Sequence, residues 1–171
     1  MKPLQNPLFV NFIVYFNENQ DFFECHEVLE EYWKSLPNIT KNHPLTGYIL
    51  LSTGMYHWRR GNTIGALRTL KKAIERMTKS SEAYPEFSDG INFDELCGNV
   101  NQSIKHIEVG QAFVPFQIEI TSSDIVSLMT EIAPSMELLP FGSDIVIHKH
   151  MLRDRSDIIR ERNEKKKGRL L

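Results

Sequence analysis

Two cysteines in 171 residues, Cys25 and Cys97, are too few to staple a fold and lack the C-x-x-C spacing of a zinc or redox site. Both are expected to be reduced packing residues. Proline (8) and glycine (9) are sparse, which excludes collagenous and low-complexity chains. No apolar run is long enough for a bilayer: the longest, from Tyr48 to Trp58, is interrupted by Ser52, Thr53 and His57. The N-terminus has one lysine and then apolar residues broken by Asn11, with no small-residue cleavage pattern. It does not read as a secretory signal, and a cytoplasmic protein without membrane contact is expected. A large charge of one sign is missing too: 20 basic against 22 acidic residues leave −2, which argues against coating nucleic acid by bulk charge. Glycine-rich phosphate loops and the G-x-S-x-G elbow are absent, and His26-Glu27 continues to Glu30 rather than to the second histidine of H-E-x-x-H.

What is present is a hydrophobic fraction of 41%, enough to bury a core over a single domain spanning residues 1–171. Apolar residues recur at helical spacing after Asp21 (Phe22, Cys25, Leu29, Trp33, Leu36), with Asp21 as cap and Pro37 as terminator. A second helix, apolar on most sides, runs from Leu45 to a stop at Gly61. Asn62 caps a third, whose stripe is Ala66, Leu67, Leu70, Ala73, Ile74 and Met77. A fourth uses Phe93, Leu96, Val100, Ile104 and Ile107; Phe116, Ile118 and Ile120 alternate as in a short strand, and Ser123–Ile132 returns to helical spacing. The charged end, 154–168, reads as a solvated, fraying helix. The fold class expected is therefore all-α, a multihelical array or bundle with an antiparallel helical hairpin at its core and a less regular C-terminal part from 111 to 171.

At about 100° per residue, His26 falls within the apolar arc of the first of these helices and Glu30 on its edge, while Glu24, Glu27 and Glu31 project to solvent. On the second helix Thr46, Leu50, Thr53, Gly54 and His57 form one stripe. A short connection makes the two helices antiparallel and predicts that His57 meets His26 and Glu30. An imidazole and a carboxylate at i and i+4, joined by a second imidazole, are the three protein ligands that a catalytic-type zinc site needs; zinc or manganese is the cofactor this set suggests. The same residues also serve as a buried polar pair that fixes helix packing.

His26, Glu30 and Trp33 spell H-x-x-x-E-x-x-W, and Tyr56-His57-Trp58-Arg59-Arg60-Gly61-Asn62 is followed by Gly65-Ala66. In these elements the chain resembles the family called domain of unknown function 309 over about Phe16 to Met77, within a family-like core of about 16–107. The resemblance implies a small all-helical bacterial or archaeal protein whose shared His/Glu motif is linked to metal binding without a defined reaction. Thr46 and Leu50 stand where that family commonly has glutamine.

Trp33 and Trp58 are expected in the core rather than as pocket walls, and capping suffices to explain Asn62. His148 and His150 share a spacing but lack a third ligand; His43 and His106 lie in polar sequence and suggest no role. Arg68, Lys72 and Arg76 lie on a basic helix that a noncatalytic interaction module could dock on an acidic partner. Nucleic acid is the weakest reading, because no interleaved aromatics or binding motif accompany the charge.

Overall fold

The structure is a computed structural model that describes residues 1–149, so His150 and the charged end lie outside the described residues. The fold is all-α, as the sequence predicts, and seven α-helices and no strand occur among the described residues: α1 (Pro7–Val14), α2 (Phe22–Ser35), α3 (Pro44–Arg59), α4 (Thr63–Ser80), α5 (Phe93–Glu108), α6 (Ser123–Ile132) and α7 (Asp144–Ile147). The expected caps are in place, Asp21 accepting from the Glu24 N–H and Asn62 from the Gly65 N–H. Helix α1 was not anticipated from the sequence. Asn6 caps it, Pro7 opens it, and Phe9, Val10, Phe12, Ile13 and Val14 are all buried. A π-helical turn, Tyr15–Asn19, and a left-handed Gln20 (φ 54°) then reverse the chain into α2.

One apolar cluster takes side chains from Leu4 to Ile125. Phe9, Phe12, Phe16 and Tyr48 meet at ring separations between 5.2 and 5.9 Å, three of the four contacts edge to face, and burying each ring contributes roughly 1.5–3 kcal/mol. Helix α3 packs between α2 and α4. Small residues permit the close approach: a Cβ on Gly54 would lie 2.5 Å from Leu70 Cδ2, and one on Gly47 would lie 2.7 Å from Met77 Cγ.

The alternation at Phe116, Ile118 and Ile120 gives an extended segment but no strand among the described residues, only an isolated antiparallel bridge between Ile120 and Ile91. Asn17 takes the place of a neighbouring strand, accepting from the Ile118 N–H at 2.8 Å and donating to its carbonyl at 2.9 Å. After α6 the chain returns to the start of α2. Asn19 donates to the Leu139 carbonyl, Arg59 to those of Gln20 and Val146, and Lys149 pairs with Asp21 at 3.0 Å and Glu24 at 2.8 Å.

Candidate functional site

Helix α2 carries the site because its apolar arc is centred elsewhere than the sequence predicts. Phe22, Cys25, Leu29 and Tyr32 are the buried residues, Tyr32 donating to the Pro3 carbonyl at 2.8 Å. Including Tyr32 moves the centre of the arc to about 80° from His26 and about 120° from Glu30. His26 is therefore not inward-pointing as expected: a third of its side chain is exposed (33%), as is that of Glu30 (33%). Trp33 is half-buried, its Nε1–H donating to the Thr40 carbonyl at 3.1 Å, whereas Trp58 is core, as predicted, with 2% exposure.

His26 Nε2 stands 3.6 Å from Glu30 Oε2, and His26 Nδ1 stands 3.3 Å from Glu27 Oε1. Glu30 also accepts from Lys34 Nζ at 2.5 Å. Glu27 is exposed, yet it joins the group; a long side chain beside an imidazole in sequence reaches it by rotamer choice, which a helical wheel cannot show. His26, Glu27 and Glu30 each offer a ligand atom, all within 4.8 Å of one another. Ligand bonds of about 2.1 Å at tetrahedral angles put neighbouring donors about 3.4 Å apart, so the His26–Glu30 spacing suits one ion. A nitrogen with two carboxylate oxygens suits zinc or manganese.

His57 is not in that group. It is half-buried near the C-terminus of α3, where the rings of Tyr56 and Phe23 meet at 6.1 Å and bring the end of α3 beside the start of α2. Burial pushes its imidazole below the ordinary range, and the nearby Arg60 cation adds to the effect. Its Nδ1 lies 3.4 Å from Asn62 Nδ2. Of the basic residues on α4, Arg68 and Lys72 are exposed, while Arg76 is engaged: its Nη1 donates to the Lys41 carbonyl at 2.5 Å and lies 3.3 Å from Thr46 Oγ1. Thr46, half of the glutamine pair the resemblance noted, thus serves the loop between α2 and α3, donating to the Lys41 and His43 carbonyls.

His43 was expected to have no role and instead caps α3. Its Nδ1 accepts from the Leu45 N–H at 3.1 Å, its ring packs against Phe87 and Tyr84 at 4.5 and 5.0 Å, and burial lowers its pKa. Cys25 and Cys97 are free thiols, and burial raises both, Cys97 to about 11. Neither is primed as a nucleophile.

The site is thus an imidazole and carboxylates on the outer face of one helix in a small all-helical protein. The family described as Domain of unknown function (DUF309) matches residues 9–69, a span that contains His26, Glu30, Trp33, His57 and Asn62. The chain belongs to this family. It is 30% identical over 162 residues, 91% of each chain, to the uncharacterized protein YpuF of Bacillus subtilis (strain 168). No solved structure matches it. No helix among the described residues is long and apolar enough to cross a membrane.

Proposed function

We propose that the outer face of α2 binds a divalent cation, zinc or manganese, through His26 and Glu30, with Glu27 as third ligand in the place first expected for His57. The reading is carried by the three donor atoms that lie within 4.8 Å of one another. Partial exposure leaves water free to complete the coordination, the arrangement of an exchangeable rather than a closed structural ion.

The bland reading, a polar pair that only fixes architecture in an interaction module, has its own support: Lys34 already neutralises Glu30 at 2.5 Å. Metal analysis of protein purified without a metal-affinity tag, together with thermal melts in chelator and in added zinc or manganese, separates the two. Cation binding predicts a Tm that rises with metal in the wild type and not in His26→Ala or Glu30→Gln. A melt indifferent to metal in all three, with no bound ion, overturns the cation site.

A further inference from the structure

The last turns of α4, the loop before α3 and the segment after α4 enclose an open cavity that the cation site does not use. It has a volume of about 390 Å3, and Asn42, Glu75, Arg76, Lys79, Ser80 and Tyr84 line it. That size falls at the lower end of the roughly 300–1,000 Å3 of small-molecule pockets. Its charges are unevenly matched. Lys79 Nζ meets Glu75 Oε1 at 2.6 Å, whereas Arg76 forms no ion pair among the described residues. The Arg76 guanidinium is nevertheless held in place, because Nη1 donates to the Lys41 carbonyl at 2.5 Å and lies 3.3 Å from Thr46 Oγ1. Nη1 is the nitrogen on the side away from the Nε hydrogen. The edge left over, Nε–H beside Nη2–H, presents the two parallel donors that match the two oxygens of one carboxylate. Among the described residues neither atom of that edge makes a hydrogen bond, and both remain open to solvent.

A helix C-terminus repels anions, but donors close this one. Ser80 Oγ donates to the Arg76 carbonyl at 2.6 Å, Ser81 Oγ to that of Thr78 at 2.9 Å, and the Tyr84 N–H to that of Ser80 at 3.0 Å. The Tyr84 ring, packed against His43 at 5.0 Å, gives the cavity a flat apolar wall. We propose that this cavity binds a small carboxylic acid, its carboxylate on the Nε and Nη2 edge of Arg76 and its carbon body against the Tyr84 ring. The exposed Asn42 amide supplies a further donor. A carboxylate suits the lining better than a phosphate does, because one planar pair of donors is on offer and Lys79, the other cation, is committed to Glu75. The site is independent of the cation reading, which concerns the outer face of α2.

Benzoate titrated into the full chain, followed at the Arg76 Nε–H and the Tyr84 ring by NMR, tests the site. Saturable shifts of both, with a Kd on the order of 1 mM, are expected for so small a ligand. Arg76→Lys keeps the charge and loses the paired edge, so it is expected to weaken benzoate at least about tenfold, and its melt reports that the variant folds. Two exposed neighbours supply opposite signs. Lys79→Gln leaves the Glu75 carboxylate to repel the ligand and is expected to weaken benzoate about threefold, whereas Glu75→Gln releases Lys79 and is expected to tighten it about threefold. The proposal is overturned by the absence of a saturable shift at Arg76, by binding indifferent to Arg76→Lys, or by changes of one sign in the two neighbours. Inorganic phosphate that shifts Arg76 where benzoate does not overturns it as well. None of these outcomes bears on zinc or manganese at His26.

Discussion

The His43 imidazole closes the first turn of α3 only while its Nδ1 is unprotonated, because it accepts the Leu45 N–H there. Burial lowers its pKa in the fold, with Glu86 opposing weakly, so the unfolded chain binds the proton more readily. Its contribution is complete above about pH 6.5, the unfolded value, and is lost progressively as pH falls through the lower folded value. His43→Asn keeps a capping oxygen without the titration. Urea unfolding at pH 8 and pH 5.5 is expected to show wild-type stability falling relative to this variant at the lower pH, and His43→Ala to cost about 1 kcal/mol at pH 8. Arg76 gives a second outcome at this scale. Loss of its bonds to Lys41 and Thr46 predicts about 1–2 kcal/mol of destabilisation for Arg76→Ala, against changes within about 0.5 kcal/mol for Arg68→Glu or Lys72→Glu, read as shifts in urea midpoint. These residues also show what letters conceal. Asp21 and Asn62 were legible as caps because capping is local, whereas His43 owes its burial to Phe87 and Tyr84, some 40 positions along the chain. Glu27 escaped notice because a wheel gives directions of Cβ atoms and not the reach of a side chain.

Among the elements, α2, α3, α4 and α5 follow from apolar periodicity, and their bounds agree with the turn and cap residues that delimit them. Helix α1 is the instructive exception: it is buried on nearly every side, so it has no polar face to produce a period. The site was misplaced by a similar cause. Whether Tyr32 or Trp33 belongs to the core sets the rotation of α2, and the bond from Tyr32 to Pro3, far away in sequence, decides it. Helix contacts also give paired expectations. Gly54→Ala drives a Cβ to 2.5 Å from Leu70 Cδ2 in the α3–α4 seam, and a loss of about 1–3 kcal/mol is expected. Gly98→Ala on the exposed face of α5, where nothing lies within 4 Å of an added Cβ, is expected to gain about 0.5–1 kcal/mol. Chemical unfolding of the two variants side by side checks both signs.

Across the whole molecule, the segment after α6 is joined to the start of α2 by charge as well as by backbone. Asp21 is 1% exposed and meets Lys149 Nζ at 3.0 Å, so Lys149→Met leaves a buried carboxylate with its capping N–H and only the longer-range attraction of Arg59. A cost of about 1–3 kcal/mol is expected, visible as a lower urea midpoint that shrinks toward wild type as Asp21→Asn is added. This connection was not legible in the sequence, since Lys149 and Asp21 are 128 positions apart and nothing in either neighbourhood marks the other.

The Trp58 indole donates to the Gln111 carbonyl and lies against Phe113, while the Arg59 guanidinium stacks on Phe22 and holds Val146. Tyr48, at the heart of α3, donates to the Phe87 carbonyl. Every one of those later partners comes after position 69, where the shared family segment stops. The segment that the family model matches is therefore shorter than the unit that packs, and the likeness to YpuF runs over 162 residues: a gene trimmed to codons 9–69 would encode a polypeptide whose largest ring systems open onto water. Such a fragment is expected to precipitate or to cling to other hydrophobic surfaces, and its behaviour in solution would say little about the parent chain.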